Sequence, residues 1–332
     1  MKPLRVGCVG TGFIANAHLG ALSGFSDVEI VAVADAVPDR AAETATRYGA
    51  RAYDDGVRLL QSEELDAVWL CVPPFAHGPL EVAALDRHLP FFVEKPIALD
   101  LRTALDIADL VRQRAVRTAV GYHWRHLDVV DTVARLVRDV PPQLVLGYWL
   151  DKTPSVPWWA QRARSGGQVV EQSTHIFDLA RVLAGEVDTV RAVERTTARE
   201  AFAGADVPTV SAATLLFASG AIGTLASTCV LPSRHRVGLH LIADGFVAEL
   251  TEASLSDHEL RLVTAEADRL QRSEQNPIER EDREFVDVLL GRREEVRVPY
   301  DEALRTHVVA CAADRSARDG VPVDLSGEVP GA

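Results

Sequence analysis

Lys95 is the first residue in this sequence whose type suggests chemistry. The 332-residue chain contains three lysines, Lys2, Lys95 and Lys152, against 32 arginines. Surface charge is therefore carried by arginine, which keeps its proton in proteins. A lysine can release one when burial or a nearby cation disfavours the charged form. Lys95 lies in Glu94-Lys95-Pro96, at the end of a short apolar run, where a proton donor and acceptor would be useful. The bland alternative is a structural Lys95–Glu94 pair or an exposed lysine. A second grouping is Glu171, His175 and Asp178. On one helix these spacings of four and three share a face, with Ile176, Leu179 and Leu183 on the apolar side. The bland reading of this face is a helix histidine satisfied by Asp178. No metal is expected there, because neither a His-Glu-x-x-His pattern nor a cysteine spacing accompanies the three.

These side chains need a scaffold, and the N-terminus suggests one. Val6–Val9 reads as a buried strand and runs into Gly10-Thr11-Gly12-Phe13-Ile14-Ala15. In this pattern the first glycine permits a tight turn. The second lets a pyrophosphate approach, and the small third residue lets the helix pack on the strand. The helix start, including Phe13 and Ile14, offers N–H groups to phosphate. A second strand ends at Asp35, roughly 20 residues on, where a carboxylate would take ribose hydroxyls. Asp35 favours NAD over NADP, and Arg40 leaves NADP open.

Strands and helices then alternate to Gly121. Further strands are expected at 50–54, 65–72, 90–94 and 118–121, which predicts βαβ units and a parallel sheet. Ligands bind beyond the carboxyl ends of such strands, and those ends carry Gly10, Gly12, Asp35, Pro73, Pro74, Glu94, Lys95 and Tyr122. His77 follows the prolines as a structural or nicotinamide-side residue. From Tyr122 the character changes. A polar-aromatic junction holds His123 and Arg125. A strand is expected at 143–150, then an ordered loop at 151–167 with Trp158 and Trp159, then the helix bearing Glu171 and His175. Strand-like runs between 187 and 263, with Ser219-Gly220 and Asp244-Gly245 as hairpin turns, predict a mostly antiparallel sheet. Arg199–Val207 reads as a loop, 277–290 and 300–319 as helices, and the last residues as frayed. The expected division is 1–121, a dinucleotide-binding domain, and 122–332, a substrate-binding and oligomerisation domain.

A net charge of −13 argues against nucleic acid and anionic membranes as partners. No apolar run is long enough to span a bilayer. The apolar start resembles a signal peptide, but cleavage after Ala17 would remove the first strand and the glycine turn. The four cysteines lack metal-site spacing, and a cytoplasmic protein is expected.

Taken together, Gly10-x-Gly12-x-x-Ala15, Val72-Pro73-Pro74-x-x-His77, Glu94-Lys95-Pro96, Gly121-Tyr122-x-x-Arg125, and Gly166-Gly167 leading to His175 and Asp178 resemble the glucose–fructose oxidoreductase / inositol dehydrogenase / MocA family. The resemblance implies a Rossmann domain followed by an α+β domain whose large open sheet is often used to form homodimers or homotetramers. It implies an NAD(P)-dependent oxidoreductase that interconverts sugar or polyol hydroxyls and ketones. On that pattern Lys95 shuttles the proton, the bond to Pro96 is cis, and His175 binds the reacting hydroxyl. His123, Arg125, Trp158 and Glu171 become candidate substrate contacts. The chain departs from the pattern at Glu171, where relatives often have aspartate, and at Ser173 and Gln168, where they often have glycine. Two other readings are a non-catalytic dinucleotide-binding sensor of the same fold and a phosphorylating aldehyde dehydrogenase using Cys229. Retention of both Lys95 and His175 argues against the first. The lack of a base near Cys229 in sequence argues against the second.

Overall fold

The computed structural model describes residues 2–199 and 204–326. The chain divides into two compact units, Met1–His123 with Ile278–Leu304 and Trp124–Pro277 with Arg305–Ala332.

In the first unit, six strands form a parallel sheet: β1 (Leu4–Val9), β2 (Val28–Ala34), β3 (Arg51–Tyr53), β4 (Ala67–Leu70), β5 (Phe91–Val93) and β6 (Thr118–Val120). Their order is β3-β2-β1-β4-β5-β6. Val6, Cys8, Val33, Trp69 and Phe92 are all buried, because βαβ crossovers cover both faces of such a sheet. The strand order reverses between β1 and β4. The glycine turn after β1 and the two prolines after β4 therefore flank the crevice where α/β sheets bind ligands.

Residues 278–304 belong to this unit by contact, whereas the expected division placed them in the second. The reason is apolar. On the helix Pro277–Leu289, Phe285 and Val286 enter the same core as Val6, Trp69 and Phe92. Trp69 stacks on Phe92 with ring centroids 5.9 Å apart and meets Phe285 edge-on at 5.5 Å. Further along, the Val120 backbone N–H donates to the Val298 carbonyl at 2.9 Å.

The second unit holds a nine-stranded sheet: β7 (Leu144–Leu150), β8 (Val187–Arg195), β9 (Val210–Phe217), β10 (Ile222–Thr228), β11 (Arg236–Ala243), β12 (Phe246–Ser254), β13 (Asp257–Thr264), β14 (Asp268–Arg272) and β15 (Val323–Asp324). Their order is β14-β13-β12-β11-β7-β10-β9-β8-β15. Pairing is antiparallel except between β7 and β10. Gly220 and Gly245 both take φ of 86°, as the two expected hairpin turns require. The helix Thr174–Ala184 covers one face and is buried almost throughout. Gly147 on β7 leaves room for the Leu225 side chain of the neighbouring strand β10, since a Cβ there would lie 2.4 Å from it. The opposite face leaves Leu144, Leu146, Val193, Val210, Leu216 and Ile222 exposed.

The expected 151–167 loop contains a 3-10 turn, Pro157–Ala160, and a short helix, Arg162–Ser165. Trp159 anchors it, fully buried against Val207 and Cys229. Cys229 is thus a core thiol. Part of the Arg199–Val207 loop (200–203) and most of the expected frayed end (327–332) lie outside the described residues. Among the described residues, no helix is long and apolar enough to cross a membrane.

Candidate active site

The glycine turn has the shape its residue types suggested. Gly10 takes φ of 90°, and a Cβ there would sit 2.1 Å from the Cys71 carbonyl oxygen, so only glycine fits. Gly12 precedes the helix Phe13–Ser23 and gives it no side-chain cap, and the space beside its Cα is open. The Asn16 amide donates to the Thr11 and Gly12 carbonyls at 2.8 and 2.9 Å. With those oxygens tied back, the uncapped helix start suits a diphosphate. Ala15 is fully buried against the core, and Phe13 is 82% exposed.

Asp35 joins this turn to β2. Its Oδ2 accepts from the Thr11 backbone N–H at 3.0 Å and from the Thr11 hydroxyl at 2.8 Å. Its Oδ1 accepts from the Val37 N–H at 2.8 Å and lies 3.1 Å from Arg40. Asp35 therefore fixes the turn from the end of β2. Arg40 is the exposed partner of the four contacts.

After β4, Pro74–Ala76 forms a single 3-10 turn. His77 Nδ1 lies 2.6 Å from Glu81 Oε1, and Glu81 Oε2 accepts from the Gly78 N–H at 2.6 Å. The carboxylate holds the ring proton on Nδ1, which leaves buried Nε2 as an acceptor with no hydrogen-bond partner among the described residues.

At the end of β5, Glu94 is buried and Lys95 half-buried. The Lys95–Pro96 bond is cis, as the resemblance implied. The Lys95 backbone N–H donates to Glu94 Oε2 at 3.1 Å. Glu94 Oε1 meets His18 Nε2 at 3.0 Å, and His18 Nδ1 meets Asp282 Oδ1 at 2.8 Å. The Trp69 indole donates to the same Asp282 oxygen at 2.8 Å. Burial disfavours charge on His18. The charge and hydrogen bond of Asp282, joined by those of Glu94, outweigh it and hold the imidazole well above its ordinary value. Sequence reasoning missed His18 and Asp282. A signal existed for the second, because Ile278, Phe285 and Leu289 place Asp282 on the apolar side of its helix.

In the second unit the expected single helix bearing Glu171 and His175 is two pieces. Gln168–Glu171 is a short helix, and Thr174–Ala184 begins after Ser173. The break has a physical cause. Ser173 Oγ bonds Ser227 Oγ at 2.6 Å, and Gln168 Nε2 donates to the Thr228 carbonyl at 2.9 Å. Two of the three positions that depart from the family pattern, Gln168 and Ser173, thus tether this segment to β10. The spacing of four between Glu171 and His175 is not a helical one. Glu171 accepts from the Trp159 indole at 2.5 Å.

Asp178 binds Arg125, whose Nε and Nη2 donate at 2.7 and 2.5 Å, and accepts from the Thr306 hydroxyl at 2.6 Å. Asp178 is therefore not the partner that would make His175 merely structural. Arg125, expected among the substrate contacts, is a buried clamp on Asp178. His175 is buried and stacks on Trp149, with centroids 5.9 Å apart and planes 15° apart. Trp158 is half-buried beside the anchored Trp159. His123 is buried and closes the N-terminal segment of the first unit.

Two family models match the chain. Residues 4–122 match an oxidoreductase family model with an NAD-binding Rossmann fold, and residues 142–246 match the GFO/IDH/MocA C-terminal domain. The chain is 30% identical over 211 residues to the rhizopine catabolism protein MocA of Rhizobium meliloti, covering 62% of this chain and 64% of that protein. It is 31% identical over 188 residues to inositol 2-dehydrogenase of Rhizobium meliloti strain 1021, covering 55% and 56%. The matched stretch thus spans less than two thirds of either relative. A solved structure of levoglucosan dehydrogenase in complex with NADH and L-sorbose shares the fold over 99% of this chain and all of that one, with a TM-score of 0.86 at 19% identity. With the parallel sheet matched by one model and much of the open sheet by its companion, the chain belongs to the GFO/IDH/MocA superfamily of oxidoreductases.

Proposed function

We propose that this protein is a nicotinamide-dependent dehydrogenase or reductase that interconverts a hydroxyl and a carbonyl on a sugar or cyclitol, with Lys95 moving the hydroxyl proton. One observation carries the reading. The rare lysine stands at the carboxyl end of β5, half-buried, with its backbone amide held by a buried carboxylate. A cofactor of this class supplies hydride acceptance and donation. Gly10, Gly12, Phe13, Ile14 and Ala15 would hold its diphosphate, and Asp35 and Arg40 its adenosine ribose. NAD is the preferred form, since the Asp35 carboxylate repels a 2′-phosphate. Pro73, Pro74 and Glu94 shape the neighbouring strand ends, and His77 Nε2 offers an acceptor for an N–H donor. His175, ring-stacked and buried, is assigned the substrate oxygen. Glu171, Trp158 and His123 are assigned substrate contacts. The sugar class is supported by the names of the relatives, an inositol dehydrogenase and a dehydrogenase solved with L-sorbose.

The exposed apolar face of the nine-stranded sheet is assigned to a homodimer or homotetramer, because so broad an apolar patch is rare on a monomer. Light scattering in solution checks the assignment, and a monomer at micromolar concentration removes it.

A spectrophotometric screen with NAD and NADP over cyclitols, aldoses and keto-sugars tests the activity. Lys95→Met should lower turnover on any positive substrate by about 100-fold to 10,000-fold. Wild-type turnover in that variant removes Lys95 from the mechanism. No absorbance change with any substrate in the screen favours the sensor reading.

A further inference from the structure

We propose that His18 is a positioning residue for Lys95: clamped between Asp282 and Glu94, it fixes the carboxylate that holds the Lys95 backbone amide, and so sets where the lysine leaves the strand end. The inference rests on the reading of Lys95 as the proton-moving group, but its geometry stands apart from that reading. The chain of contacts is unbroken within one unit. Trp69 and His18 bind Asp282 at 2.8 Å each, His18 binds Glu94 at 3.0 Å, and Glu94 binds the Lys95 N–H at 3.1 Å.

A second feature points the same way. Gly121 lies beside the Glu94 carboxylate, and a Cβ at that position would be 2.2 Å from Glu94 Oε1. The residue just past β6 therefore leaves, by lacking a side chain, the room this carboxylate occupies. Glu94 has no slack: one oxygen is fixed by a ring, the other by the lysine's own amide, and its flank by a glycine.

The cluster is also overloaded with carboxyls. Glu281 is 2% exposed, and neither of its oxygens has a hydrogen-bond partner among the described residues. The ligand atoms of His18, Glu94 and Glu281 lie within 4.8 Å of one another. Both nitrogens of His18 are already bound to carboxylates, so a cation would have to displace the ring proton. A protonated imidazole between Asp282 and Glu94 uses both of its own nitrogens on one oxygen of each acid without a metal. Burial holds the Glu281 carboxyl well above its ordinary value. The neighbouring His18 opposes this, and Glu94, Asp282 and Glu284 reinforce it. The groups acting on the ring are thus Glu94, just after β5, and Asp282 and Glu281 from the helix Pro277–Leu289, while the Cys71 thiol, paired with Cys8, lies near the same Glu94 and Asp282 carboxylates.

The scarcity of lysine supplies the test. Reductive methylation with isotope-labelled formaldehyde places reporters on Lys2, Lys95, Lys152 and the α-amino group, and Lys95→Arg identifies the Lys95 signal. In the full-length His18→Gln and Asp282→Asn variants, the Lys95 resonance should move. The Lys2 and Lys152 signals should stay in place. In the wild type, which needs no substitution, the Lys95 signal should step at the pH where the labelled His18 ring loses its proton. A Lys95 signal that ignores that step, or that is unchanged in both folded variants, overturns the proposal. Neither result depends on turnover. Failure of the positioning role is therefore separate from failure of Lys95 as the proton carrier, which Lys95→Met judges.

Discussion

Asp178 in the second unit and Asp282 in the first are both fully buried aspartates on helices, yet their partners differ in kind. Asp178 faces the fork of Arg125 and the Thr306 hydroxyl. Asp282 faces the His18 ring and the Trp69 indole. Arginine keeps its proton at every pH a protein survives, whereas histidine gives it up near neutrality unless its surroundings resist. The polar centre of the second unit is therefore a fixed strut. That of the first is a titrating one, and it lies one residue from the candidate proton carrier. A structural ion pair can be permanent, whereas a group next to proton chemistry sits in a field that responds to protons.

The contrast can be broken in three ways. Arg125→Met leaves a buried aspartate without its cation and should cost about 3–5 kcal/mol of stability. Urea unfolding measures this, and the loss should be nearly flat across neutral and alkaline pH. A marked pH dependence would place Asp178 in the titrating class with Asp282.

Asp282→Asn should cost about 1–3 kcal/mol, with a different pH profile. A histidine raised on folding contributes stability that is complete below its unfolded value and is lost as the pH rises through its folded value. The gap between wild type and variant should thus be widest near about pH 6 and narrow on the alkaline side. A constant gap would show that His18 does not titrate in the folded state.

Glu281→Gln should have the smallest effect, with the opposite sign. A carboxyl raised on folding costs stability once the pH exceeds its unfolded value. The variant should therefore gain about 1 kcal/mol near pH 8 and nothing near pH 4. Thermal unfolding at the two pH values reads the difference, and a loss at pH 8 would mean that Glu281 has a partner the cluster needs.

The parallel sheet was legible because burial on both faces writes strands as unbroken apolar runs, as in Val6–Val9 and Ala67–Leu70. The glycine turn was legible because backbone contacts admit only one residue type at Gly10. The second sheet announced its hairpins through Gly220 and Gly245, but not the parallel pairing of β7 with β10, which joins residues far apart in sequence. Strand β14, Asp-Arg-Leu-Gln-Arg, is exposed along its length and carries no apolar signature. The Glu171–His175 spacing misled because a break between two helices can reproduce the interval of one turn. Only the tethers at Gln168 and Ser173 reveal the break, and they depend on β10. Asp282 was written on the apolar side of its helix, but its partner His18 lies at the other end of the chain.

That separation shapes how the molecule is made. By the time a ribosome has released Val120, every strand of the parallel sheet has been synthesised. Phe285, which closes the space beside Trp69 and Phe92, and Asp282, which receives His18, emerge only after the whole nine-stranded sheet except β15 has followed. The nascent first unit waits with an open hydrophobic seam and an unanswered histidine. This is the interval in which a chaperone has most to shield.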